Sequence, residues 1–156
     1  MKVAVVTISD RASRGAYADL SGPEIERLVL ARFPGAGVVR SVVPDEPAAI
    51  LAALEAAAGA DVVLTTGGTG LSPRDVTPEA TRRFCDREAP GIAEALRAQS
   101  YPETPSAMLS RGYAGLRGSC LVVNFPGSPK AVRRCMDVLG PVVEHALRMI
   151  RGAGHP

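Results

Sequence analysis

Four short apolar runs alternate along the chain with segments of helical periodicity, and this alternation limits the fold more than any other feature. The runs are residues 3–8, 37–43, 61–65 and 119–124. Helical patterns cover 23–33, with Ile25, Leu28 and Val29 on one face, and 46–58, with Ile50, Leu51 and Leu54. Further helices are read over 78–86 and from residue 90 onward. Strands that are apolar on both faces need cover on both faces. The pattern therefore implies right-handed βαβ crossovers and a three-layer α/β/α sandwich with a mostly parallel sheet. A helical region continues to about residue 151, with Leu139, Val142, Val143, Ala146, Leu147 and Ile150 at the spacing of one face. Pro141 either starts a separate helix or kinks a longer one. Residues 101–118 show no readable period.

Composition narrows the functional classes. A chain of 156 residues, 46% hydrophobic and 22% charged, fits one globular domain spanning 1–156. A net charge of +2 gives no electrostatic case for nucleic acid, and the absence of Trp removes a stacking platform for single strands. No apolar run reaches the roughly 18 to 20 residues of a membrane helix. Met1-Lys2 leads straight into the first strand. The expectation is a cytoplasmic protein with no membrane or nucleic-acid partner. Cys85, Cys120 and Cys135 form no C-x-x-C, and neither His145 nor His155 lies near them in sequence. Neither structural zinc nor a cysteine nucleophile is expected.

In open α/β sheets, ligands bind outside the carboxyl ends of the strands. The unusual residues fall there. Ser9-Asp10-Arg11 follows the first strand, Pro44-Asp45-Glu46 the second, Thr66-Gly67-Gly68-Thr69-Gly70 the third, and Asn124-Phe125-Pro126-Gly127 the late one. The glycine loop presents backbone N–H groups that can approach a phosphate closely. Gly67, Gly68, Thr69 and Gly70 are read as lining it, so that a β-branched side chain at Gly68 would fill space meant for phosphate. The loop is not a P-loop, because it lacks the Lys, and its glycines do not match G-x-G-x-x-G. Arg74 faces a phosphate or solvent. Asp75 either holds Mg²⁺ or bonds the turn that follows, where Thr77 reads as N-cap and Pro78 as the first helical residue. Asp45 is a second catalytic and metal-holding carboxylate, or a surface turn residue. Asp10 holds Mg²⁺ or a hydroxyl, or pins its own loop through Ser13 or Arg14. Asn124, Pro126, Gly127, Ser128 and Lys130 form a second turn before a helix, a further place for an anion.

The segments TISDRASRG (7–15), PDE (44–46), TTGGTGLSPRDVTPEA (65–80), REAPGIAEALR (87–97), AMLSRGYAGLRG (107–118) and NFPGSPKAV (124–132) together resemble the molybdenum cofactor biosynthesis family. That family includes the bacterial molybdopterin adenylyltransferases and matching domains of plant and animal fusion proteins. The resemblance implies an α/β fold, usually trimeric, that joins AMP from ATP to the terminal phosphate of molybdopterin with Mg²⁺ and releases pyrophosphate. It places Ser110 and Arg111, in the family-like LSR, on the pterin side. It leaves open which substrate Lys130 serves and which pathway proteins are partners. Glu88, Pro90 and Gly91 also match, although Pro-Gly between helices is first of all a break, and His145 is read as structural. A phosphate nucleophile is already anionic, so such a site needs no Ser, Cys or His nucleophile. It needs alignment of two polyanions and neutralisation of their charge. Rival readings are a non-catalytic pterin-binding relative, a scaffold module, and another nucleotide-handling activity on the same fold. The presence of both Asp75 and Asp45 favours an enzyme.

Overall fold

The parallel sheet expected from the sequence is present, with a mixed edge. The computed structural model describes residues 1–152; His155 lies outside the described residues. The strands are β1 (Lys2–Ile8), β2 (Gly37–Val43), β3 (Val62–Thr66), β4 (Arg87–Glu88), β5 (Ala114–Arg117) and β6 (Cys120–Phe125), in the order β2-β1-β3-β6-β5-β4. β2, β1, β3 and β6 run parallel, and β5 pairs antiparallel with both β6 and β4. The α-helices are α1 (Asp10–Ser13), α2 (Ser21–Arg32), α3 (Pro47–Ala56), α4 (Thr77–Phe84), α5 (Pro90–Ser100), α6 (Pro129–Leu139) and α7 (Val143–Ile150).

The central strands show why both faces had to be covered. Successive side chains of a strand point to opposite faces. Val3, Val5, Val62, Leu64, Leu121, Val123 and Phe125 accordingly enter one core, closed by Ile25 and Val29 of α2, Ala93 and Leu96 of α5, and Val132 and Cys135 of α6. Val6, Ile8, Val63, Cys120 and Val122 enter a second core against Ile50 and Leu54 of α3 and Ala80 and Phe84 of α4. Two cores on the two faces of one sheet make the three-layer sandwich.

Three sequence expectations change in detail. The polar stretch after β1 contains the short helix α1, capped by the Ser9 hydroxyl, which accepts from the Ala12 N–H at 3.2 Å. Pro141 separates two helices: α6 ends at Leu139, a 3-10 turn spans Gly140–Val142, and α7 follows. The single apolar face read across this region is therefore broken. Leu139, Val143 and Leu147 are buried, whereas Val142 is 47% exposed. Residues 101–118 hold a 3-10 turn (Pro105–Leu109) and β5. Both are too short and too rich in Gly and Pro to show a period.

Candidate functional site

Because β1, β2, β3 and β6 are parallel, their carboxyl ends share one edge, and the loops after them meet there. The glycine loop after β3 is fixed first by its own backbone. Gly67 and Gly68 have φ values of 100° and 62°, a region other residues enter at a cost. Packing requires the same two glycines. A Cβ on Gly67 would collide with the Ile8 carbonyl oxygen. One on Gly68 would collide with Thr77 Oγ1 and lie 3.2 Å from Asp45 Oδ1. The space beside Gly68 is thus filled by protein. This corrects the expectation that it was left open for a phosphate.

The loop is tied to its neighbours on each side. The Gly67 N–H donates to Phe125 O at 3.2 Å, and Thr66 Oγ1 donates to Pro126 O at 2.8 Å. A Cβ on Gly127 would lie 3.2 Å from Gly67 Cα, so the two strand-end turns are in direct backbone contact. Thr77 is the first residue of α4. Its hydroxyl donates to Gly67 O at 2.9 Å, and its N–H donates to Gly68 O at 3.1 Å. Thr77 is therefore a staple of the glycine loop, not the N-cap expected from sequence. The N–H groups of Gly68, Thr69 and Gly70 find no acceptor among the described residues. Three consecutive amides without acceptors are what an oxyanion would use.

Three carboxylates gather at this edge. The Asp10 N–H donates to Asp45 Oδ2 at 2.7 Å, and the Asp45 N–H donates to Asp10 Oδ1 at 3.1 Å. Asp10 also receives Arg74, at 2.6 Å from Nη2 and 3.2 Å from Nε. Asp10 thus pins its loop, through Asp45 and Arg74 as well as through its own carbonyl, which accepts from Ser13 and Arg14. Arg74 faces Asp10. Its guanidinium, hydrogen-bonded to Asp10, holds that carboxyl below the ordinary range. Burial pushes the Asp45 carboxyl up, and the charges of Asp10 and Asp75 add to the rise, against the Asp10 N–H, which lowers it. Asp75 uses Oδ2 to accept from the Ser72 N–H at 2.8 Å, and the same oxygen lies 2.9 Å from where a Cβ on Gly70 would stand. Asp45 and Asp75 therefore sit against Gly68 and Gly70. Among the described residues no group of three or more His, Cys, Asp or Glu side chains forms a metal cage.

On another side of the loop lies a cleft of about 330 Å³, within the range of small-molecule sites. Thr69, Gly70, Ser110, Pro126, Ser128 and Lys130 line it, and so does Asn124. The side chain of Asn124, however, is a buried brace. Its amide donates to Thr65 Oγ1 and Thr81 Oγ1, each at 2.9 Å, and its oxygen accepts from the Tyr113 N–H at 3.1 Å. Ser128 caps α6, its hydroxyl accepting from the Ala131 N–H at 3.3 Å. Asp10, Asp45, Gly67, Gly68, Arg74, Asp75, Arg111 and Gly127 do not line the cleft. Arg111 instead reaches under the glycine loop to Gly70 O, at 2.8 Å.

Sequence reasoning missed Arg97 and Arg134, which also line the cleft. Arg97 Nη1 donates to Gly112 O at 3.0 Å and so shapes the segment after Ser110. Helical spacing could have found both. Arg97 follows the buried Ala93 by four positions, and Arg134 follows Lys130 by four. The thiols offer no nucleophile. Burial pushes Cys85 and Cys135 up to about 12 and Cys120 up to about 11.

A family model described as "probable molybdopterin binding domain" matches residues 4–145. A molybdopterin adenylyltransferase of Helicobacter pylori is 38% identical over 154 residues, covering 96% of this chain and 88% of that protein. The Drosophila melanogaster molybdenum cofactor synthesis protein cinnamon is 40% identical over 149 residues; the match covers 94% of this chain but only 25% of that longer protein. A solved structure of MogA superposes with a TM-score of 0.91 at 41% identity, covering 96% of this chain and 99% of the other.

Proposed function

Because the chain belongs to the molybdopterin-binding domain family of molybdenum cofactor biosynthesis, we propose that it is a molybdopterin adenylyltransferase. It would transfer AMP from ATP to the terminal phosphate of molybdopterin and release pyrophosphate. The observation that carries this reading is the glycine loop itself. Its Thr69 and Gly70 line a cleft shared with Ser128 and Lys130, and Asp45 and Asp75 sit against Gly68 and Gly70.

The residues do chemistry that a phosphate nucleophile requires. The amides of Gly68, Thr69 and Gly70 receive phosphate oxygens. Asp45 and Asp75 fit a magnesium site, being two hard oxygen donors beside neighbouring glycines of the loop. Burial raises the Asp45 carboxyl, and the charges of Asp10 and Asp75 add to the rise, a setting in which a cation would be favoured. Two carboxylates are enough when ATP brings further oxygen ligands, since magnesium is usually held by one or two carboxylates plus substrate phosphates. A magnesium ion there would neutralise charge on the phosphates. Ser110, Ser128 and Lys130 hold the pterin end in the cleft, and Lys130 meets its phosphate. No side chain acts as a strong general base, because the attacking oxygen carries no proton that must be removed.

The assay is incubation with molybdopterin, ATP and Mg²⁺. Adenylylated pterin and pyrophosphate are the expected products. Pterin binding without either product would identify a non-catalytic relative. We further propose one domain over 1–156 acting in the cytoplasm as a homotrimer, in contact with other proteins of the pathway. In support, none of the described helices is long and apolar enough to cross a membrane.

A further inference from the structure

We propose that Arg111 is a positioning residue for adenylyl transfer: it holds the loop from Gly70 to Asp75 in the shape that sets the Asp75 carboxylate. The inference rests on the adenylyltransferase reading above, but it assigns Arg111 to the nucleotide side, not to the pterin.

Arg111 joins both ends of one loop. Its backbone N–H donates to Thr69 O at 2.9 Å, and its Nε donates to Gly70 O at 2.8 Å. Its Nη2 donates to Asp75 O, and both terminal nitrogens meet the Glu79 carboxylate of α4. The segment from Gly70 to Asp75 is therefore closed at its two ends by a single rigid fork. The consequence for the amides is geometric. A trans peptide is planar, with its C=O and N–H opposed, and the peptides of this loop are trans. Drawing Thr69 O and Gly70 O toward Arg111 turns the N–H groups of Gly70 and Leu71 the other way. The side chain that holds Asp75 O thus also turns the Leu71 N–H, while the Arg111 backbone turns that of Gly70. Glu79 pairs with the guanidinium and neutralises it, which fits a strap better than a contact to an anionic substrate.

The test compares Arg111→Ala and Arg111→Lys with the parent chain. Three measurements are made: adenylylation kinetics with Mg²⁺ and ATP varied, calorimetric titration with a non-hydrolysable ATP analogue plus Mg²⁺, and calorimetric titration with molybdopterin. Arg111→Ala should lower kcat about 30-fold or more, since misplacement by about 1 Å can cost 10²-fold. The Mg²⁺ concentration for half-maximal binding of the analogue should rise several-fold, and molybdopterin affinity should stay within about threefold. Lysine, a point donor without the fork, should restore less than about a tenth of the lost rate. Loss of molybdopterin affinity with normal analogue binding would overturn the proposal, as would kcat within threefold of the parent. Should Arg111→Ala fail to fold by circular dichroism, Arg111→Lys and Glu79→Gln carry the test. Glu79→Gln keeps the carbonyl bonds, so a smaller loss in the same direction is expected, and no change in either variant overturns the idea. A parent chain without turnover counts against the adenylyltransferase reading, and the analogue titration then decides the role of Arg111.

Discussion

Asp10 and Asp45 exchange hydrogen bonds, each carboxylate accepting the other's backbone N–H, at 2.7 and 3.1 Å. The exchange links the ends of β1 and β2. It leaves Asp45 held by backbone beside Gly68, while Asp10 is neutralised by Arg74. The two acids thus differ in setting, and Asp45 with Asp75 remains the pair without a guanidinium partner.

Asp75→Asn should keep the fold, because the amide oxygen can still accept the Ser72 N–H. Turnover should fall about 100-fold or more with loss of the charge that would hold the cation, while molybdopterin affinity changes little. Single-turnover kinetics and pterin titration check this, and turnover within a few-fold of the parent would contradict it.

Gly70→Ala probes the same carboxylate from outside. The new methyl would stand 2.9 Å from Asp75 Oδ2, and the residue has no positive φ to strain. The carboxylate must shift, so kcat should drop about tenfold while the melting temperature moves by less than about 2 °C. A large thermal shift with normal kcat would show the contact to be structural.

Gly68→Ala should behave in the opposite way. Positive φ and the collision with Thr77 Oγ1 act together, for a loss of about 2 kcal/mol of stability. Urea unfolding measures it, and an unchanged midpoint would mean that α4 yields easily.

Asn124→Leu removes a brace that serves Thr65, Thr81 and the Tyr113 N–H. Leaving those buried groups unpaired should cost about 3 kcal/mol. The urea midpoint should fall with the slope unchanged; a loss of pterin binding without loss of stability would return Asn124 to the list of ligands.

Glu24 supplies a prediction in pH. Hydrogen bonds from Arg27 and Arg133 hold its carboxyl down at about 2, against 4.5 ordinarily. A depressed folded pKa stabilises above 4.5 and ceases to do so as pH falls toward about 2. Glu24→Gln should therefore lower the melting temperature at pH 7 by about 2–4 °C, for a pair worth about 1 kcal/mol. Thermal scans across that acid range should show the two proteins converge, and a gap that widens instead would refute the linkage.

The sheet was legible because β1, β3 and β6 are buried on both faces and so read as uninterrupted apolar runs, while the edge strand β2, mostly exposed, was found through its valines. β4 and β5 were not, since two and four residues give no period, and β5 is placed by β6 and β4 by β5. In the site, the glycine loop and its two acids announced themselves through local sequence. The string around Asn124 reads alike whether the amide meets a ligand or braces the sheet, and burial alone separates the two. Arg111 was read with its sequence neighbour Ser110, but its partners lie more than thirty positions away, where no local pattern can point.

The contact between Gly67 and Gly127 has a consequence for synthesis. One turn emerges from the ribosome some sixty residues before the other. Until β6 arrives to pair with β3, the glycine loop has neither the Phe125 carbonyl nor the Pro126 carbonyl to hold it. The final shape of this loop is therefore among the last things the chain acquires, and a nascent chain stalled before residue 120 has most of the residues of the site but not the strand that braces its glycine turn.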